Sequence, residues 1–295
     1  MQAALLPDRG VVKISGDDAR RFLNGLVTNN TGKVAPGKAR YAALLTPQGK
    51  IIVDFIMAEA EPEDGGGFFL VCPKALAPML VEKFNFYKLR AKLTIEDLSP
   101  ALGVMAVWDG AALSDDGLSS PDPRLLALGT RSIMPRESVA QAAAALGATL
   151  TDADAYNAHR IVLGIPRGGE DFAYLGTFPH EADMDQLEGV DFDKSCYVGQ
   201  EVVSRVEHRS SARSRIVPIA FEEFVASGGV PVMAGEKQVG TLGTAAKGRG
   251  LALLRLDRVA EAIAEGTPLT CGNMPVRLVK PSWAKFPWPG EAEKS

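Results

Sequence analysis

Apolar positions in this chain gather in short clusters, and their spacing sets out the elements. Residues 11–14 predict a short strand. Beyond it Phe22, Leu23, Leu26 and Val27 share one helical face, which predicts a helix over 20–26. Ser15 followed by Asp18 has the form of a capping box with Asp in place of Glu. Two apolar runs, 41–45 and 51–58, flank Thr46-Pro-Gln-Gly-Lys50. Pro47 and Gly49 supply turn chemistry, so the pair predicts an antiparallel hairpin. The turn at 64–67 leads into a strand over 68–72. Near-helical spacing over 74–87 predicts a helix, with Pro73 and Pro78 at its start. Residues 93–95, 104–108 and 125–128 predict short strands, and 111–123, rich in Ser, Asp, Gly and Pro, a loop. Helices over 139–146 and 153–163 are closed by Gly147 and Gly164, with Pro166 beyond.

Near Arg213 the texture changes. Short apolar runs at 215–221, 230–233, 239–242, 251–256 and 274–279 are broken by Gly and Pro, and only 256–264 has helical spacing. That pattern predicts a small all-β barrel at the C-terminal end. Upstream, strands and helices mix without a repeated βαβ rhythm, so the class is α+β.

Composition narrows the function classes. A chain of 295 residues suits two or three domains at roughly 100–200 residues each. The net charge of −4 argues against coating nucleic acid through overall charge. Cys72, Cys196 and Cys271 lie far apart with no Cys-x-x-Cys, so no zinc knuckle or self-contained cluster ligand set is readable, and free thiols suit a reducing compartment. His159, His180 and His208 have no metal-ligand spacing, and the glycine runs lack phosphate-loop context, so no metal is expected. The first residues have neither a basic leader region nor an Arg-rich amphipathic pattern, and no run approaches the ~18 apolar residues of a membrane span. The expectation is a bacterial cytoplasmic monomer that engages neither membrane nor nucleic acid, with a mature organelle protein whose leader has been removed as the alternative.

The most informative segment is Asp191-Phe-Asp-Lys-Ser-Cys-Tyr-Val-Gly-Gln-Glu-Val-Val-Ser-Arg205. It resembles the signature Lys-Gly-Cys-Tyr-x-Gly-Gln-Glu of the YgfZ branch of the aminomethyltransferase-like family. Lys194, Cys196, Tyr197, Gly199, Gln200 and Glu201 match; Ser195 stands where the signature has Gly. A glycine there would serve a positive φ or close packing, so the loop is expected to differ at Ser195. Residues 22–29, 41–55, 178–185 and 250–256 resemble further family segments in the same order, so the resemblance covers nearly the whole chain. It implies an aminomethyltransferase-like folate-binding fold, two mixed α/β domains plus a C-terminal β-barrel around a central channel. The implied division is 1–45 with 150–212, then 46–149, then 213–295. The resemblance also implies a tetrahydrofolate cofactor. It implies A-type iron–sulfur carrier proteins and iron–sulfur client enzymes as partners, in assembly or repair of clusters. An accessory factor is expected rather than an enzyme. The alternatives are a folate-dependent aminomethyltransferase or other one-carbon enzyme, and a folate- or RNA-binding module with an incidental thiol.

The candidate chemistry follows. Cys196 is the candidate reactive thiol, with Lys194 two residues away to favour thiolate; the alternative is a buried inert thiol, the reading also given to Cys72 and Cys271. Asp54 is the candidate acid or base and a folate contact, since a carboxylate in an apolar strand can exchange a proton with a bound heterocycle; the alternative is an outward-facing strand residue. Family relatives that transfer aminomethyl groups often carry two adjacent acids there, where this chain has Val53-Asp54. Tyr41, Lys194, Tyr197, Gln200, Glu201 and Arg205 complete the candidate cofactor-binding set; Lys194, Gln200, Glu201 and Arg205 form a polar cluster on a loop-to-strand stretch, with Glu201 pairing to Lys194 or Arg205 as the alternative. His180 is placed near the site, and His159 reads as a packing residue. The basic run Arg205, His208, Arg209, Arg213 and Arg215 suits a folate glutamate tail, an acidic partner, RNA phosphate or a solvated linker. Lys83, Lys88, Arg90 and Lys92 pose the same question.

Overall fold

A computed structural model of the chain describes residues 1–110, 112–208, 212–222 and 228–291. Two compact units emerge, one of 1–156 with 187–200, the other of 157–186 with 201–295.

The first unit holds two five-stranded sheets. In one, the strands run in the order Arg40–Leu45, Ile51–Glu59, Phe68–Pro73, Arg9–Ser15, Thr94–Asp97, every neighbour antiparallel. The helices Ala19–Asn24 and Ala77–Lys88 contribute Leu23, Leu80 and Phe84 to a core with Val53, Phe55, Met57 and Leu70. Phe84 meets Phe22 and Phe55 edge to face. Along Ile51–Glu59, Phe55 points into this core while Asp54, by the two-residue alternation of a strand, points the other way. Every residue from Ile51 to Ala58 is nonetheless buried, because both faces of the strand are covered. That is why the run reads as unbroken apolar sequence.

The other sheet has the order Thr149–Thr151, Gln2–Leu5, Leu102–Trp108, Thr130–Pro135, Leu118–Pro121. Only the pairing of Gln2–Leu5 with Thr149–Thr151 is parallel. The helix Val139–Ala145 packs on it through Val139, Ala142 and Ala143, against Ala3, Met105 and Met134.

In the second unit six strands close into a barrel in the order Ser214–Ala220, Arg249–Arg255, Lys237–Ala246, Pro231–Ala234, Leu269–Cys271, Met274–Leu278. The last pairs back to the first at Ile219↔Leu278, so no sheet edge is left open. The helix Leu256–Ala264 lies where its sequence spacing put it and buries Leu256, Val259 and Ala262. The mixed α/β architecture with a C-terminal barrel is thus as expected.

Several local readings need correction. The stretch 125–128 is not a strand: Leu126–Leu128 is a single 3-10 turn. The expected loop at 111–123, whose Ala111 lies outside the described residues, contains the edge strand Leu118–Pro121. Asp18, not Ser15, is the N-cap of the first helix; its carboxylate accepts the Lys92 amide, and Ser15 bonds Thr94. Gln200–His208, read as a loop-to-strand stretch, is an α-helix; its apolar Val202–Val203 pair mimics a strand, but the full segment has helical spacing with Val203 inward. Residues 45 and 46 lie at the turn of the hairpin, whose two strands share one sheet. Among the described residues no helix is long and apolar enough to cross a membrane.

Candidate functional site

The hairpin builds a buried polar pair. Asp54, opposite Ala43 in the ladder, is 6% exposed and accepts a 2.9 Å hydrogen bond from the Tyr41 hydroxyl. Burial, reinforced by the Asp54 charge, pushes the Tyr41 phenol well above its ordinary value against the pull of Arg124, so Tyr41 stays the donor. The Arg124 guanidinium stands 5.6 Å from the centre of the Tyr41 ring. Asp122 holds Arg124 through bonds of 3.0 and 2.8 Å and also takes a 2.7 Å bond from Arg131 Nε. Arg131 in turn reaches the Tyr156 hydroxyl at 3.2 Å. Burial would raise the Asp122 carboxyl, but the two guanidiniums outweigh it and keep the group ionised far below the usual carboxylate range. Asp122, Arg124, Arg131 and Tyr156 were not foreseen. In sequence the first two sit in an Asp-Pro-Arg stretch bordering a polar loop, whose charges read as solvated; nothing local marks them as buried.

The signature segment is pinned to the same hairpin. Gly199 has φ +82°, and a Cβ there would lie 2.5 Å from the Thr46 carbonyl oxygen and 3.1 Å from Gly49 Cα. Glycine is therefore required twice over, by conformation and by contact. Lys194 is buried, and its Nζ donates to the carbonyls of Asn24 (2.6 Å) and Val27 (2.9 Å) while lying 4.6 Å from the Tyr197 ring centre. Burial draws this ammonium down to about 8 against the attraction of Asp191 and Cys196. Lys194 thus fastens the loop to the end of the first helix. Burial raises the Tyr197 phenol, with Asp191 adding to the shift. Gln200 Oε1 accepts the Tyr197 amide at 3.2 Å. Ser195 is not among the residues of positive φ, and its Oγ accepts from Asn24 Nδ2 at 3.1 Å. Cys196 is exposed, whereas Cys72 and Cys271 are buried. Burial pushes the Cys72 thiol up to about 12.

Glu201 and Arg205 pair with each other across one helical turn at 2.6 Å, both exposed. In the second unit Arg215, far from being a solvated linker residue, is buried and held by Asp183 and by both oxygens of Asp185. His180 is also buried and meets Glu207 at 2.9 Å. His180, Asp185 and Glu207 each bring a donor atom within 4.8 Å of the others, a metal-like grouping absent from linear spacing, although Arg215 already compensates Asp185. A cavity of about 720 Å³ opens here, lined in part by His180, Glu207, Arg213, Phe286 and Trp288. His208 and Arg213 are exposed, and Arg209 lies outside the described residues.

Comparison with known proteins agrees with this geometry. Residues 8–112 match the GCVT N-terminal domain, and 213–286 match the CAF17 C-terminal beta-barrel domain. The iron-sulfur cluster assembly factor IBA57 homolog, mitochondrial, of Mycosarcoma maydis is 35% identical over 230 residues, 74% of this chain and 57% of that protein. The mouse protein of the same name, iron-sulfur cluster assembly factor IBA57, mitochondrial, is 30% identical over 315 residues, 98% of this chain and 86% of its own length. The chain belongs to the IBA57 family. It spans 52–61% of the length of the first fungal IBA57 relatives it matches. A solved aminomethyltransferase T of the glycine cleavage system from Bartonella henselae superposes with a TM-score of 0.74 at 13% identity, covering 97% of this chain and 87% of that one, which establishes likeness of fold. The expected bacterial cytoplasmic location does not stand, because these IBA57 relatives are mitochondrial proteins.

Proposed function

We propose that this IBA57-family chain binds tetrahydrofolate and assists the assembly or repair of iron–sulfur clusters in client enzymes, together with A-type carrier proteins, in the manner of the YgfZ branch. The observation that carries the folate half is the buried Asp54–Tyr41 pair backed by Arg124. A pterin presents N–H donors on one edge and a flat face. A buried carboxylate suits the edge, and the donor set on the hairpin therefore fits such a group. Tetrahydrofolate, when bound, would supply a nitrogen pair able to carry a one-carbon unit. The chain's own part is to orient and exchange protons: Asp54 accepts a hydrogen bond or a proton, and Tyr41, kept protonated by burial, holds the carboxylate in place.

The names of the relatives support the iron–sulfur half, and the exposed Cys196 offers it a chemical group. The other two thiols are buried, so an incoming carrier protein meets Cys196 first among the cysteines. Lys194, bonded to the carbonyls at the end of the first helix, and Gln200, bonded to the Tyr197 amide, anchor the loop that carries that thiol.

Calorimetric titration of the reduced protein with tetrahydrofolate tests the reading, run beside Asp54→Asn and Cys196→Ser. Binding that weakens at least tenfold in Asp54→Asn and survives Cys196→Ser is expected. Cys196→Ser should lose stimulation of cluster transfer to an apo iron–sulfur enzyme. Absence of binding by the unaltered protein removes folate from the account. Production of a one-carbon folate by the protein alone would instead favour the transferase alternative.

A further inference from the structure

The end of the helix Ala77–Lys88 displays a surface that the site above does not use. Leu89, the residue that caps the helix, is 89% exposed, and Phe86, three residues earlier, is 76% exposed. Soluble surfaces do carry single apolar residues, but two large ones this exposed at one helix end are an interaction signal. The backbone adds a second sign. Leu89 has φ 47° and ψ −109°, a conformation that side-chain-bearing residues rarely adopt and glycine adopts freely. A leucine is thus held in solvent, in a strained backbone, where glycine would end the helix more easily.

The charge around it is the opposite of the chain's. The whole sequence carries −4, yet residues 82–92 hold Lys83, Lys88, Arg90 and Lys92 against Glu82 alone. Among the described residues none of these four cations is in an ion pair, and Lys83, Arg90 and Lys92 are exposed. Arg21, 88% exposed and only 3.7 Å from Asp18, extends the basic rim. Beside Leu89 lies a hollow of about 320 Å³ lined by Phe22, Tyr87, Arg21 and Asp18 among others.

We infer that this face, centred on Phe86 and Leu89, is a docking surface for an acidic protein partner that inserts an apolar side chain into the hollow and meets the basic rim with carboxylates. Charge complementarity selects the partner's sign and steers its approach. The hollow is concave, which favours an inserted protein side chain over the flat surface of a lipid bilayer. The Leu89 strain is retained because its side chain is used outside the molecule.

The test uses the full chain and a fluorescent amphipathic peptide of about 18 residues, Leu on one helical face and Glu on the other, followed by anisotropy. The unaltered protein is expected to bind it with an affinity that falls as salt rises. Phe86→Ser and the pair Lys88→Glu/Arg90→Glu should each weaken binding by about tenfold or more, while Leu126→Ser, an 80% exposed leucine elsewhere, leaves it unchanged. Leu89→Gly separates display from packing: binding falls while the melting temperature stays level or rises. A lower melting temperature in Leu89→Gly would make Leu89 structural and overturn the inference. So would failure to bind the peptide, or equal binding by every variant. Binding of phosphatidylserine-containing vesicles or of poly-uridine RNA that the same variants abolish would also overturn it, assigning the face to lipid or RNA.

Discussion

Replacing Asp122 with Asn removes one negative charge, keeps the side-chain volume and leaves two guanidiniums in the interior. Asp122 is 1% exposed and takes bonds of 3.0 and 2.8 Å from Arg124 and 2.7 Å from Arg131. Arg124 and Arg131 are themselves only 10% and 9% exposed in their side chains, so solvent cannot replace the lost carboxylate. Breaking a buried ion pair by removing one partner costs about 3–5 kcal/mol. In a unit of this size that amounts to a fall of about 6–20 °C in melting temperature. The sign with pH follows from the direction of the shift. The folded-state carboxyl titrates far below its unfolded value, so its contribution is complete above about pH 5 and fades as the solution is acidified through the folded-state value. The gap between the parent and Asp122→Asn should therefore be widest near neutrality and narrow below about pH 4. Calorimetric melting of both proteins from pH 3 to 8 would measure it. The double variant Asp122→Asn/Arg131→Gln should recover part of the loss, because one stranded cation goes with its partner. Because Arg124 also faces Tyr41, Asp122→Asn should weaken tetrahydrofolate binding in any fraction that remains folded. A loss below about 1 kcal/mol at pH 7, or a gap that widens in acid, would refute the reasoning.

Two further outcomes follow from the signature loop and the thiols. At pH 8 an aromatic disulfide reagent should modify Cys196 rapidly and spare Cys72 and Cys271, whose thiols burial raises, Cys72 to about 12; rapid modification of all three in the folded protein would contradict this. Gly199→Ala forces a Cβ to within 2.5 Å of the Thr46 carbonyl oxygen at φ +82°, so urea unfolding should show a loss of about 2 kcal/mol or more, and a loss under about 0.5 kcal/mol would show that the loop can move away from the hairpin.

Order along the chain determined a good deal. The alternation of apolar and turn residues placed the hairpin around Pro47 and Gly49, the helix at 256–264 and the barrel, since these depend on neighbours a few residues apart. The signature from Lys194 to Glu201 marked the loop that carries Cys196, and at its one departure, Ser195, the backbone has no positive φ. Tertiary structure decided what local pattern cannot express. Asp54 and Cys196 each left two readings open in sequence, and the fold decided between them: Asp54 is buried against Tyr41 and Cys196 is exposed, because burial is set by elements packed from elsewhere. The short helix Gln200–His208 was hidden by its paired valines, and the parallel strand at Thr149–Thr151 acquires its identity only from Gln2–Leu5, far upstream. The partners of Lys194 are backbone carbonyls near residue 25, and those of Asp122 are arginines that the chain order presents as loop charges. A charged side chain's meaning rests on whether water or a counter-charge surrounds it, and only the folded chain brings the counter-charges together.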